Sequence, residues 1–250
     1  MFYIDKNQLA RQGQTLAKTK QLDWSGRFAS LAKTSKYPSL KAFYQQGVIS
    51  ASTPLLDVPM VALDFETTGL DPSRDSIVSI GLVPMSISRI RCGESKHWIV
   101  KPETNLHSAS VVVHGITHSA VADAPDFSNV IDTLLGCLRG KIVVAHHAPI
   151  ERRFLHAALM RHLQEGIEFP VIDTMAIEAQ FSRRKSQEIW RSLLGRQRTS
   201  IRLSDSRTRY HLPYYRQHNA LTDAIACAEL LQAQCVTHLS LDTPVSAIWS

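Results

Sequence analysis

The apolar run Val58-Pro59-Met60-Val61-Ala62-Leu63 leads without a break into Asp64-Phe65-Glu66-Thr67-Thr68-Gly69-Leu70. A run of that length and character reads as a buried strand, so it belongs inside a sheet. Side chains at i and i+2 of a strand point to one face, which puts the Asp64 and Glu66 carboxylates side by side where the strand ends. Two such anions repel unless a cation lies between them, and hard divalent ions favour oxygen ligands of this kind. Thr67-Thr68-Gly69 then reads as a tight turn with free backbone N–H groups. Taken alone, the pair also fits a strand that ends in solvated charge. A second acidic site downstream decides between the two.

That second site is His218-Asn219-Ala220-Leu221-Thr222-Asp223, which opens the helix-forming run 224–231. Asp223 falls in the first turns of that helix, with His218 in the loop before it, and together they can complete a three-carboxylate cluster with Asp64 and Glu66. Between the two sites, Val143-Val144-Ala145-His146-His147-Ala148-Pro149-Ile150-Glu151 reads as a short strand, a polar turn and a helix with Pro149 in its first turn. Glu151 then faces the region beyond the strand's carboxyl end, where open α/β sheets carry their sites.

These motifs resemble the DEDDh branch of the 3′→5′ exonucleases, to which the proofreading epsilon subunits of bacterial DNA polymerase III belong. The resemblance runs over residues 58–236 and rests on Asp64-x-Glu66-Thr67-Thr68-Gly69-Leu70, Asp75-Ser76-Ile77-Val78-Ser79-Ile80-Gly81, His114-Gly115-Ile116-Thr117 and the spacing of His218, Ala220 and Asp223. One motif departs from the family. Where relatives read His-Asn-Ala-x-Phe-Asp, this chain has His146-His147-Ala148-Pro149-Ile150-Glu151, with Glu for Asp and His147 for Asn. The resemblance implies hydrolysis assisted by two divalent cations, Mg2+ or Mn2+. Asp64, Glu66 and Asp223 would hold the tighter ion, Asp64 would bridge to a second ion near Glu151, and His218 would take the proton of the attacking water. It further implies that the backbone at Phe65 and Thr67 meets the terminal 3′-hydroxyl and that His147 stands on the substrate side. The implied substrate is single-stranded nucleic acid or 3′ ends, DNA favoured over RNA.

Charge is unevenly spread. Residues 1–56 net +6 and residues 181–220 net +8, so with +6 overall the remainder nets −8. An acidic pocket between basic surfaces suits a polyanionic substrate, because basic stretches supply sequence-independent phosphate contacts. Tyr210, Tyr214 and Tyr215 lie in the second basic stretch. Bases could stack on one of them, and packing beneath the loop accounts for them equally well. Cys92, Cys137, Cys227 and Cys235 are scattered without metal-site spacing and read as reduced thiols of a cytoplasmic protein. No apolar run reaches the length of a membrane span, and residues 1–6 lack the apolar core of a signal peptide.

The order of elements completes the expectation. Strands at 76–85 and 97–100, an amphipathic helix at 127–139, a strand at 141–145, a helix at 150–163 and a short strand at Val171-Ile172 fit a ribonuclease H-like α/β fold, a mixed sheet flanked by helices. Residues 1–56 read as a helical basic N-terminal extension. In it Trp24, Phe28 and Leu31, then Leu40, Phe43 and Tyr44, stand at helical spacing and Gly47 closes the second helix. Residues 57–240 read as the exonuclease domain, 50–59 as a linker and 241–250 as a C-terminal tail. The extension is also the candidate contact for a polymerase or other protein partner. A weakly active nucleic-acid-binding subunit and an RNA-trimming enzyme stand as alternatives. A phosphatase or small-nucleotide hydrolase is disfavoured, since no Gly-rich phosphate loop is present.

Overall fold

The computed structural model describes residues 22–104, 115–182 and 199–250. Among these, six strands form one mixed sheet: β1 (Met60–Thr67), β2 (Ile77–Ser86), β3 (Arg89–Ile90), β4 (Lys96–Ile99), β5 (Ile142–Ala145) and β6 (Val171–Asp173). β2 runs antiparallel to β1, while β5 and then β6 continue from β1 in parallel. β3 and β4 share the outer edge of β2. The carboxyl ends of β1, β5 and β6 therefore open at one end of the sheet, where Asp64 and Glu66, the turn leading to Glu151 and Asp173 emerge.

Among the described residues, eight α-helices accompany the sheet: α1 (Trp24–Thr34), α2 (Pro38–Gln45), α3 (His118–Ala122), α4 (Ile131–Leu138), α5 (Pro149–Leu163), α6 (Thr174–Ser182), α7 (Leu203–Arg209) and α8 (Ala220–His238). No described helix is long and apolar enough to cross a membrane. α8 lies across β1 and β2, and its seating depends on one glycine. Gly81 of β2 pairs with Asp64, and a Cβ built on it would fall 2.1 Å from the carbonyl carbon and oxygen of Ala220, the first residue of α8. Only a residue without a side chain lets the two backbones come so close.

The N-terminal helices belong to the same core as the sheet. Trp24 and Phe28 of α1 and Leu40, Phe43 and Tyr44 of α2 are buried in it, with the Phe28, Phe43 and Tyr44 ring centroids 5.2–5.4 Å apart. Gly47 follows α2 with φ +74°, the left-handed conformation expected of a closing glycine. Two carboxylates after α5 clamp this layer. Glu165 accepts hydrogen bonds from Ser35 Oγ (2.8 Å) and from the N–H groups of Lys36 and Tyr37 at the start of α2 (2.8 and 3.1 Å). Glu168 takes both ends of the Arg27 guanidinium, one through Nε at 2.8 Å, and its own N–H donates to the Tyr44 hydroxyl.

Both clamp carboxyls sit below the usual range. For Glu168 the Arg27 hydrogen bond is the main cause; for Glu165 burial pushes upward but the Ser35, Lys36 and Tyr37 donors outweigh it. A depressed carboxyl stabilises the fold above its unfolded pKa and loses that contribution as pH falls through the folded value. Glu165→Gln is therefore expected to lower stability modestly at pH 7, since solvent screens the carboxylate, and the deficit should close as pH falls through the depressed value. Urea midpoints of variant and wild type across that range check it.

Two segments differ from expectation. Residues 50–59 are not a free linker and 241–250 are not a tail, because the two pair with each other. Leu55 N–H donates to the Thr243 carbonyl and Val245 N–H to that of Thr53, both at 2.9 Å, while Leu55, Val58, Val245 and Trp249 are buried. Val171 and Ser250 exchange backbone hydrogen bonds, so the closing residues extend the β6 edge. The prolines and scattered polar residues of these stretches obscure apolar residues that are buried only in the folded chain.

Candidate active site

β1 carries Asp64 and Glu66 on the face opposite Phe65, whose ring is buried in the core and leaves only backbone for any substrate contact. The turn after β1 is built around Asp75. That carboxylate accepts from Thr68 Oγ (3.2 Å) and from the Asp71 N–H (2.8 Å). Thr67 is half-buried and its hydroxyl donates to the Gly69 carbonyl at 2.6 Å, which tightens the same turn. The β1–β2 register shifts between Glu66 and Thr67, so the strand breaks from its ladder where the carboxylates end.

α8 supplies the second half. Asn219 is its N-cap, the side chain accepting from the Thr222 N–H at 3.0 Å. With the cap assigned to Asn219, Asp223 in the first turn is free to face β1. His218 stands before the cap with φ +67°, an uncommon backbone conformation for a residue with a side chain, and its N–H donates to Asp223 Oδ2 at 2.7 Å. Glu66, His218 and Asp223 each offer a ligand atom within 4.8 Å of the others. Glu66 and Asp223 are buried, while His218 is exposed at the rim.

Glu151 closes the site from the first turn of α5. It is buried, and its Oε2 has no hydrogen-bond partner. Asp64 lies among all of these. Its carboxyl is held well above the usual range, first by burial and then by the charges of Glu151, Asp223 and Glu66. Burial and the Asp223 charge push Glu66 up to about 7. Glu151 is raised by burial and by Asp173, and Asp223 by burial against the pull of the His218 N–H. Four carboxyls raised together describe a crowd of like charges that a bound cation would relieve. An orphaned buried oxygen and hard oxygen donors at one point fit a divalent cation.

The turn before α5 brought out residues the sequence left unread. Asp173, at the end of β6, accepts from the N–H groups of His147 (3.0 Å), Ala148 (3.1 Å) and Met175 (2.9 Å), so one carboxylate caps the starts of both α5 and α6. An Asp between a short apolar strand and a helix-forming run is an N-cap signal that could have found it. His146 is a pin: its ring nitrogens bond Thr174 Oγ at 2.8 Å and the Ile201 carbonyl at 3.0 Å, and burial pushes it down to about 4. His147 is exposed at the mouth with φ +86°. His114 lies outside the described residues, as do residues 183–198 of the basic stretch. Within the described part of that stretch, Arg207 and Arg209 are committed to ion pairs with Glu229 and Glu178.

With this geometry in hand, the RNase T exonuclease family model matches residues 61–231. The PolC-type DNA polymerase III of Thermotoga maritima is 32% identical over 174 residues, 70% of this chain and 12% of that polymerase. The DNA polymerase III subunit epsilon of Rickettsia typhi is 27% identical over 178 residues, 69% of this chain and 72% of the subunit. The chain thus spans about an eighth of the PolC-type relatives' length. Two solved structures share the fold. The nuclease domain of 3′hExo, a DEDDh family member bound to rAMP, superposes with a TM-score of 0.58 at 17% identity, covering 72% of this chain and 92% of that one. Exonuclease X in complex with 5′-overhanging duplex DNA gives 0.51 at 22%, covering 76% and 99%.

Proposed function

The chain belongs to the exonuclease family, and we propose that it is a DEDDh-type, metal-dependent 3′→5′ exonuclease that releases 5′-mononucleotides from DNA ends. The observation that carries this reading is the convergence of Glu66, His218 and Asp223 within 4.8 Å, beside Asp64 and a buried Glu151 whose Oε2 is unpartnered.

Asp64, Glu66 and Asp223 would hold one divalent cation, and Asp64 with Glu151 a second. Bound there, such ions supply charge stabilisation for an attacked phosphodiester and ease deprotonation of water. The chain's own residues do the rest. His218, exposed at the rim, accepts the proton of the attacking water on an imidazole nitrogen. The hydrogen bond from its backbone to Asp223 fixes the reach of that ring. Asp173 holds the turn of His147 and Ala148 so that Glu151 faces the same point. Water attacks the terminal phosphorus, the bond to the preceding 3′ oxygen breaks, and the released nucleotide keeps the phosphate.

DNA is favoured because the similar chains include DNA polymerase III proteins. RNA is the second reading, since the structural neighbours include one bound to rAMP and one recognising a histone mRNA stem-loop. A polymerase partner is proposed on the same relatives. The aromatic face of α1 and α2 is already buried, so that partner would meet their outer side, where Lys33, Lys36 and Lys41 are exposed.

Matched 5′-labelled single-stranded DNA and RNA, incubated with Mg2+ or Mn2+, test the reading. A ladder shortening from the 3′ end, faster on DNA, is expected; intact substrate throughout would sink it. A second expectation needs no turnover. Mn2+ or Mg2+ should stabilise the wild-type chain by about 2.7 kcal/mol at a hundred times the Kd, seen as a raised thermal midpoint, and Asp223→Ala should abolish the shift.

A further inference from the structure

The three tyrosines of the basic stretch separate in the fold. Tyr210 is spent internally, its hydroxyl donating to Glu178 Oε2 at 3.0 Å beside His238. Tyr215 is spent too: its hydroxyl donates to Glu229 Oε1 at 2.9 Å and its ring lies under the Arg207 guanidinium, 4.6 Å from centroid to Cζ. Tyr214 between them is 82% exposed.

That exposure is on a braced loop. Arg207 is buried, and it donates to the Ala226 carbonyl of α8 (2.7 Å), the Pro213 carbonyl (2.8 Å) and Glu229 (2.7 Å). The residues on both sides of Tyr214 are thus tied to the helix that carries Asp223. Tyr214, Gln217 and Asp223 line one small recess of about 40 Å³. Arg216, two residues on in the chain, is likewise exposed. A large aromatic so exposed gains little for the fold, and of the site carboxylates Asp223 shares its recess.

We propose that Tyr214 is a stacking platform for a nucleobase of the bound strand, holding the nucleic acid beside Asp223. This rests on the exonuclease reading above. Stacking on an aromatic face tolerates every base, so the platform would grip the strand without reading its sequence.

The test uses the full chain carrying Asp64→Asn, so that bound strand is not digested, and single-stranded oligonucleotides with 2-aminopurine or an abasic residue walked in from the 3′ end. Tyr214→Ala should weaken binding roughly 5- to 100-fold, and Tyr214→Phe should restore it, since only the ring is needed. The fluorescence quenching of 2-aminopurine at one position should vanish with the ring. An abasic residue at that position should cost the parent what the alanine costs, and the two losses should not add. In the active chain, KM for the oligonucleotide should rise more than kcat falls. Unchanged affinity for Tyr214→Ala, with the parent still binding, overturns the platform alone. Absence of binding and digestion by the unsubstituted chain overturns the exonuclease reading and the platform with it.

Discussion

Asp64→Asn should lower exonucleolytic turnover by roughly a thousand-fold, the equivalent of several kcal/mol of lost charge stabilisation at the reacting phosphate. The same change should make the metal-free chain more stable. Asp64 stands among Glu66, Asp223 and Glu151, and each of the three raises its pKa by repulsion on top of burial. An amide of the same shape keeps the packing and removes one member of that crowd. Stability should rise by about 1 kcal/mol, or roughly 2–4 °C for a chain of this size. The two effects have one cause, because charge that is useful with cations bound is a liability without them. Scanning calorimetry in chelator, beside a gel assay in Mg2+, measures both. Retained turnover, or a lowered midpoint in chelator, would contradict the assignment of Asp64.

Gly81→Ala should be nearly as damaging to activity, although Gly81 carries no functional group. Its Cβ would lie 2.1 Å from the Ala220 backbone, a distance no carbon contact sustains, and the obstacle is backbone that cannot rotate away. α8 must shift outward at its first turn, taking His218 and Asp223 away from Asp64 and Glu66. A misplacement of about 1 Å can cost 10²-fold in rate, and overpacking of this kind costs about 1–3 kcal/mol of stability. Gly136 is the control. It sits in α4, where an added Cβ meets nothing within 4 Å, and alanine there should stabilise by up to about 1 kcal/mol with activity unchanged. Equal behaviour of the two variants would mean that α8 is not seated through Gly81.

Much of this was legible in the chain because the signals were local. The apolar run into Asp64 and Glu66, the proline opening α5 and the polar-to-helical change at Asn219 each carry their meaning within a few residues. Trp24, Phe28, Leu40 and Phe43 announce a buried face by spacing alone, and the fold buries it. What the sequence concealed depends on distant partners. α6 shows no amphipathic stripe, because its buried Glu178 is satisfied by Arg209 of α7, by Tyr210 just beyond it and by Gln234 of α8. Asp173 went unread because its role depends on His147 and Ala148, which only the turn after β5 brings to it. Residues 50–59 and 241–250 look like spacers for the same reason, since each buries its apolar residues against the other. The tyrosines at 210, 214 and 215 were indistinguishable until Arg207 and Glu178 had claimed two of them.

One measurement bears on the central claim most directly. An oligonucleotide labelled on its 3′-terminal nucleotide, incubated with the chain and Mn2+, should yield labelled 5′-mononucleotide as the first product, before any shorter labelled oligonucleotide appears. Chelator or Asp64→Asn should remove that product. Labelled fragments longer than one nucleotide, or release that persists in chelator, would contradict a metal-dependent site acting from the 3′ end.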